Sequence, residues 1–193
     1  MMQRRTLIGL AGSFLAGAAI VAVTVAVKAP ASGTAKQRVF ELRTVDGTPF
    51  RSADLAGKPY LIFFGFTHCP DVCPTALFEL TALLKDIGPA ADRITPLFVS
   101  VDPERDTAEL LKLYMTSFDP RIVALRGDAE QTKAAADAFS AYYRKVQTAS
   151  DNYTMDHTAG LFLIRADGRL QGMLDMHEPR ENQLEKLRRL AES

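Results

Sequence analysis

The chain has 193 residues, with 23 basic and 23 acidic side chains, and 47% of its residues are hydrophobic. Formal charge therefore balances, and no basic run occurs beyond the first few residues, which argues against nucleic acid as a partner. The length left after the leader is that of one ordinary domain, long enough to bury a core of its own.

Residues 1–6 carry Arg4 and Arg5, and Leu7 to Val27 follow as 21 residues without a charge, closed by Lys28. At about 1.5 Å per residue a helix of that length crosses a bilayer core of about 30 Å. The basic residues at the start predict a cytoplasmic N-terminus, with residues 7–27 as a transmembrane anchor. A cleaved signal is the alternative, because Ala29-Pro30-Ala31 loosely resembles an A-x-A site and Arg4-Arg5 a twin-arginine signal. The length favours the retained anchor, since a signal's apolar region spans about 7 to 15 residues. Residues 28–38, small and polar, form the linker, and residues 39–193 the folded domain on the far side of the membrane, in a periplasm or an equivalent space.

In chain order the domain opens with a hairpin, Val39 to Val45 turning at Asp46-Gly47 into Thr48-Pro49-Phe50. Tyr60 to Phe66 is an unbroken apolar run of the kind buried on both faces in mid-sheet. A helix from Pro70 to Ile87, stopped by Gly88-Pro89, leads to a strand over Ile94 to Val101. Helix Thr107 to Phe118, strand Ile122 to Leu125 and helix Asp128 to Phe139 continue the alternation. Tyr142 to Val146 forms an extra strand, and Thr148 to Met155 a polar loop. Gly160 to Arg165 and Arg169 to Leu174 make a hairpin about Asp167-Gly168, and a last helix covers Arg180 to Ala191, with Leu184, Leu187 and Leu190 three apart. Such alternation predicts an α/β domain with a central mixed sheet flanked by helices.

The only two cysteines, Cys69 and Cys73, follow the central strand in Phe66-Thr67-His68-Cys69-Pro70-Asp71-Val72-Cys73-Pro74. Strand, cysteine and proline together predict a strand-to-helix turn, with Pro70 at the first helical position and Cys69 as the cap. Residues four apart share a helix face, so both sulfurs can converge on one atom, and backbone N–H groups at a helix start favour thiolate. Closing so short a loop stabilises a fold little, which argues against a merely structural disulfide. A cysteine pair at this turn makes the fold thioredoxin-like, although three intervening residues differ from the usual C-x-x-C of dithiol oxidoreductases. In such a fold the turn before strand Leu161 to Ile164 faces the cysteines. Here that turn contains Asp156-His157-Thr158, so the His157 imidazole completes a set of two sulfurs and one nitrogen. That set suits Cu(I), and Cu(II) with further oxygen ligands; zinc fits the ligand types, but a structural zinc site takes four protein ligands.

These stretches, with Ser100-Val101-Asp102-Pro103-Glu104-Arg105-Asp106-Thr107, make the sequence resemble the SCO/SenC family of membrane-anchored copper metallochaperones, which help assemble the binuclear copper site of cytochrome c oxidase. The motifs span most of the domain, and their joint occurrence in this order is specific where each alone is weak. The resemblance implies a thioredoxin-like fold and one copper ion on Cys69, Cys73 and His157. It further implies delivery of copper to an oxidase subunit, or reduction of that subunit's cysteines. Other periplasmic copper carriers and thiol reductants are the further partners expected, and the inner membrane the location.

Two other functions fit the same residues. Cys69 and Cys73 as a redox-active pair, with Cys69 the nucleophile, would make the protein a thiol-disulfide oxidoreductase. The pair could equally serve a redox or copper sensor. His68 is read as structural, because consecutive strand residues face opposite ways. His177, in Met173-Leu174-Asp175-Met176-His177, reads as surface rather than a second soft site. Asp71 is expected in the first helical turn, favoured there by the dipole, and Asp156 as a carboxylate that could orient His157. Asp102 to Thr107 is given a structural role, with Asp106 or Thr107 capping the next helix and Arg105 pairing nearby carboxylates.

Overall fold

The computed structural model describes residues 38–148 and 152–193. The expected anchor and nearly all of the linker lie outside the described residues, and among those described no helix is long and apolar enough to cross a membrane. The first hairpin forms as expected: β1 (Glu41–Thr44) pairs antiparallel with β2 (Pro49–Arg51). Gly47 supplies the positive φ, +80°, that the turn demands.

Strand β3 (Tyr60–Gly65) is buried at all six positions, so both of its faces are covered. Helix α1 (Val72–Asp86) returns the chain to β4 (Thr95–Ser100), and α2 (Ala108–Met115) carries it on to β5 (Val123–Arg126); β3, β4 and β5 run parallel. Helix α3 (Ala129–Phe139) leads to a two-stranded ribbon, β6 (Tyr143–Gln147) with β7 (Tyr153–His157). The hairpin β8 (Leu161–Ile164) and β9 (Leu170–Leu174) then rejoins the main sheet, and α4 (Arg180–Ala191) follows. The seven-stranded order is β2-β1-β5-β4-β3-β8-β9, a central mixed sheet of thioredoxin-like type.

Alternation along β3 fills the core on both sides. Phe63 packs on Phe98 of β4 at 5.9 Å between ring centroids, whereas Phe64 meets Phe139 of α3 at 5.6 Å and Phe162 of β8 at 6.1 Å. Each such side chain stabilises the fold by about 1.5–3 kcal/mol through burial. On α1 the buried residues Cys73, Ala76, Leu77, Leu80, Leu83 and Leu84 recur every three or four positions, the stripe that seats the helix on the sheet. Gly88, at φ +58°, and Pro89 end that helix as their residue types require. Thr107 Oγ1 caps α2 by accepting the Leu110 N–H at 3.2 Å, and Asp128 with Gln131 forms a capping box on α3.

Two expectations need correction. Helix α1 begins at Val72, so Pro70 stays in the turn, and Asp71, not Cys69, occupies the capping position. The residues from Tyr153 to His157 form a strand, not part of a loop and turn. β7 is short and polar, so it lacks the apolar alternation by which strands are recognised, and its pairing with β6 defines it.

Candidate metal centre

Parallel pairing of β3 with β4, in register from Tyr60 with Thr95 to Gly65 with Ser100, delivers two loops to the same carboxyl end of the strands. The loop after β3 carries the cysteines. At its root the Thr67 N–H and hydroxyl donate to the Asp106 carboxyl, at 3.2 and 2.6 Å, and the Ser100 hydroxyl donates to it at 2.5 Å. Asp106 is fully buried, so it anchors the cysteine loop rather than capping α2, a role that falls to Thr107.

Cys69 therefore lies in the turn and Cys73 at the second position of α1. The Cys73 N–H donates to Cys69 Sγ at 3.3 Å, so Cys69 accepts from the helix start although it is not the capping residue. Cys73 is buried against β3, where Gly65 leaves room for it: a Cβ on Gly65 would stand 3.0 Å from Cys73 Sγ and 2.7 Å from Phe98 Cε2. Both thiols are free.

His157 ends β7, with its Nε2 3.2 Å from Cys73 Sγ. Its Nδ1 lies 3.0 Å from the Thr158 carbonyl oxygen, which can only accept, so the proton of the neutral ring sits on Nδ1 and the Nε2 lone pair faces the sulfurs. The rings of Phe63 and Phe66 wall the imidazole at 6.0 and 5.8 Å. One ligand atom each from Cys69, Cys73 and His157 lies within 4.8 Å of the others, an arrangement that could hold a metal ion.

The two thiols differ in acidity. A hydrogen bond from the Cys73 thiol, with others from the backbone N–H groups of Cys73 and Asp71, holds the Cys69 thiol far below its ordinary range. The same pairing with Cys69, and then burial, push the Cys73 thiol up. One thiolate is thus ready at the half-exposed position. Two soft sulfurs and one imidazole match a soft or borderline transition metal, copper foremost.

The remaining expected residues stay outside this group. Asp71 flanks the helix start, with Oδ1 accepting from the Thr75 hydroxyl at 3.3 Å, so it is not in the first turn. Asp156 pairs with Arg144 at 3.0 Å, and the Thr158 carbonyl instead orients His157. Neighbouring strand residues point apart, which takes Asp156 away from the ring. His68 contacts Thr67 Oγ1 at 3.1 Å, and His177 is an exposed side chain beside Asp175 at 3.0 Å. Arg105 does bond the Asp102 carboxylate, as anticipated. Sequence reasoning missed the anchoring role of Asp106. The available signal was its place at the carboxyl end of β4, beside the cysteine loop.

A family model described as SCO1/SenC matches residues 28–192. A SCO2-like protein of Rickettsia prowazekii is 41% identical over 132 residues, 67% of this chain and 64% of that protein. The human mitochondrial SCO1 homologue is 40% identical over 132 residues, 67% of this chain and 44% of that protein, so the match spans less than two thirds of either relative. The solved structure of Bradyrhizobium japonicum ScoI with copper bound superposes with a TM-score of 0.73 at 42% identity, covering 79% of this chain and 97% of that one. The family match over residues 28–192, most of the sequence, places this chain in the SCO1/SenC family.

Proposed function

We propose that this protein binds one copper ion through Cys69, Cys73 and His157 and passes it by ligand exchange to a copper-accepting subunit of cytochrome c oxidase during its assembly. The observation that carries this reading is the convergence of two sulfurs and one imidazole nitrogen within 4.8 Å, brought together from two segments distant in the chain. It is supported by family membership and by the copper-bound state of the Bradyrhizobium relative. Cys69, the more exposed sulfur, is where acceptor ligands meet the ion first; Cys73 is buried and releases it last. Two-electron oxidation of the Cys69 thiolate and Cys73 thiol to a disulfide, by a thiol oxidant of the same compartment and with release of the Cys73 proton, removes both sulfur donors, so redox state gates loading. The apolar segment 7–27 anchors the domain to the inner membrane with residues 39–193 in the periplasm, within reach of an acceptor in the same membrane and of soluble copper carriers and thiol reductants.

A second reading is favoured by the unequal thiols: a depressed Cys69 beside a buried Cys73 is the pattern of a nucleophile and its resolving partner, so the same pair could reduce the acceptor's cysteines. Copper titration of the purified, fully reduced protein beside His157→Ala separates the two. The copper reading expects one copper per chain with thiolate-to-metal charge transfer in the cupric form. Affinity should fall in the variant by more than the roughly 10- to 100-fold that loss of an outer partner produces. Unaltered copper affinity in His157→Ala, with disulfide exchange intact, would leave the oxidoreductase as the better account.

A further inference from the structure

We propose that Asp102, Arg105 and Tyr153 are positioning residues for the metal centre, a clamp that holds the β6–β7 ribbon so that His157 stands over Cys73. The inference rests on the copper-binding reading for its effect on affinity, but the clamp itself is a property of the metal-free protein. The ribbon is a sheet of its own, hydrogen-bonded to no strand of the main sheet, so ladder bonds do not fix where His157 sits. Among the described residues, the side-chain hydrogen bonds that leave the ribbon reach residues 102–105, apart from the contacts of His157 with Cys73 and with the neighbouring Thr158 carbonyl.

Asp102 is buried and uses both oxygens: Oδ1 accepts from the Tyr153 hydroxyl at 2.8 Å and Oδ2 from Arg105 Nε at 2.5 Å. Arg105 Nη1 donates to the Tyr153 carbonyl at 2.8 Å, and the guanidinium lies 3.6 Å from the Tyr153 ring centroid. Its Nη2 is buried without a hydrogen-bond acceptor, and the second aromatic ring near the guanidinium is Phe66, at 5.8 Å, the same ring that walls His157. A flat guanidinium with several fixed donors meets these demands together; an ammonium cannot. Asp106, at the other end of this short loop, holds Thr67 two residues before Cys69. One loop thus fastens the strand that carries the imidazole and the turn that carries the sulfurs.

The test is Arg105→Lys, made alone and with His157→Ala, in the purified reduced protein. In the metal-free state, hydrogen exchange of the β7 amides is expected to quicken at least about tenfold. Copper affinity should drop about 10- to 100-fold, with altered cupric charge-transfer absorption. With His157→Ala already present, Arg105→Lys is expected to change affinity by less than about twofold, because residues that act through one another are not additive. Tyr153→Phe, which keeps the ring and removes only the hydroxyl, should give a smaller shift in the same direction. Unchanged β7 exchange overturns the clamp, and so does an equal loss of affinity in both backgrounds, which would mark a general loss of stability. Absence of copper from the unaltered protein would sink the copper reading instead, while faster β7 exchange in the variant would still register the clamp.

Discussion

Nε2 of His157 lies 3.2 Å from Sγ of Cys73, although 84 positions separate the two residues in the chain. The histidine arrives on a ribbon outside the main sheet and the cysteine on the first turn of α1, under β3. The contact is therefore made by tertiary packing, and each side of it can be disturbed separately.

Thiol reactivity should be split by position. With the Cys69 thiol held low by its partner and by backbone N–H groups, its alkylation in the reduced, metal-free protein is expected to be nearly flat between about pH 6 and 8. Cys73, raised and buried, should stay largely unmodified. Peptide mapping after brief iodoacetamide treatment reads both. A rise of about tenfold per pH unit at Cys69, as an ordinary thiol shows below its pKa near 8.5, would contradict the depressed acidity.

Asp106→Ala should loosen the root of the cysteine loop. The substitution orphans the Thr67 N–H and the Thr67 and Ser100 hydroxyls, and a buried donor left unpaired costs about 1–3 kcal/mol. A fall of about 3 kcal/mol in urea unfolding is expected, with Asp106→Asn less damaging because one acceptor oxygen survives. Equal stability of the alanine variant and the parent would show that these bonds contribute nothing net.

Gly65→Ala tests the fit of Cys73 against β3. The added Cβ would press on Phe98 Cε2 at 2.7 Å and on Cys73 Sγ at 3.0 Å. Overpacking of this kind destabilises by about 1–3 kcal/mol. A lowered melting temperature with weakened copper binding is the expected pair of results, and a variant that keeps both parental values would mean that the cysteine has room to spare.

Alkaline pH should unfold the domain through its tyrosines. Burial raises Tyr60 to about 12 from 10.0; burial, then the bond to Asp102, does the same for Tyr153. Burial, and then the charge of the cysteines, raises Tyr114 as well. Below the unfolded value of 10.0 these phenols are neutral in both states, and their contribution to stability is complete. Between 10.0 and about 12 the unfolded chain ionises first, so stability is lost progressively as pH rises. Tyrosinate absorbance in the native protein should lag that of the urea-unfolded protein across this window. Coincident titration curves would rule the effect out.

Much of the domain was readable along the chain because its signals are local. The apolar run from Tyr60, the Asp-Gly turns at 46–47 and 167–168, and the stop at Gly88-Pro89 each act over a few residues, and their elements formed where expected. That Cys69, Cys73 and His157 come together as a group that could hold a metal ion was also legible, since soft donors at the carboxyl ends of strands restrict what chemistry can occur there.

What escaped the sequence depends on residues distant in the chain. β7 has no apolar period of its own and becomes a strand only opposite β6, while Asp106 looked like a helix cap until parallel pairing of β3 with β4 set it under Thr67. Composition and short-range pattern determined which donors this protein offers and which elements carry them. Tertiary structure alone decided that they meet, because the distances from His157 to Cys73 and from Arg105 to Tyr153 are set by packing between segments whose separation along the chain no local preference encodes.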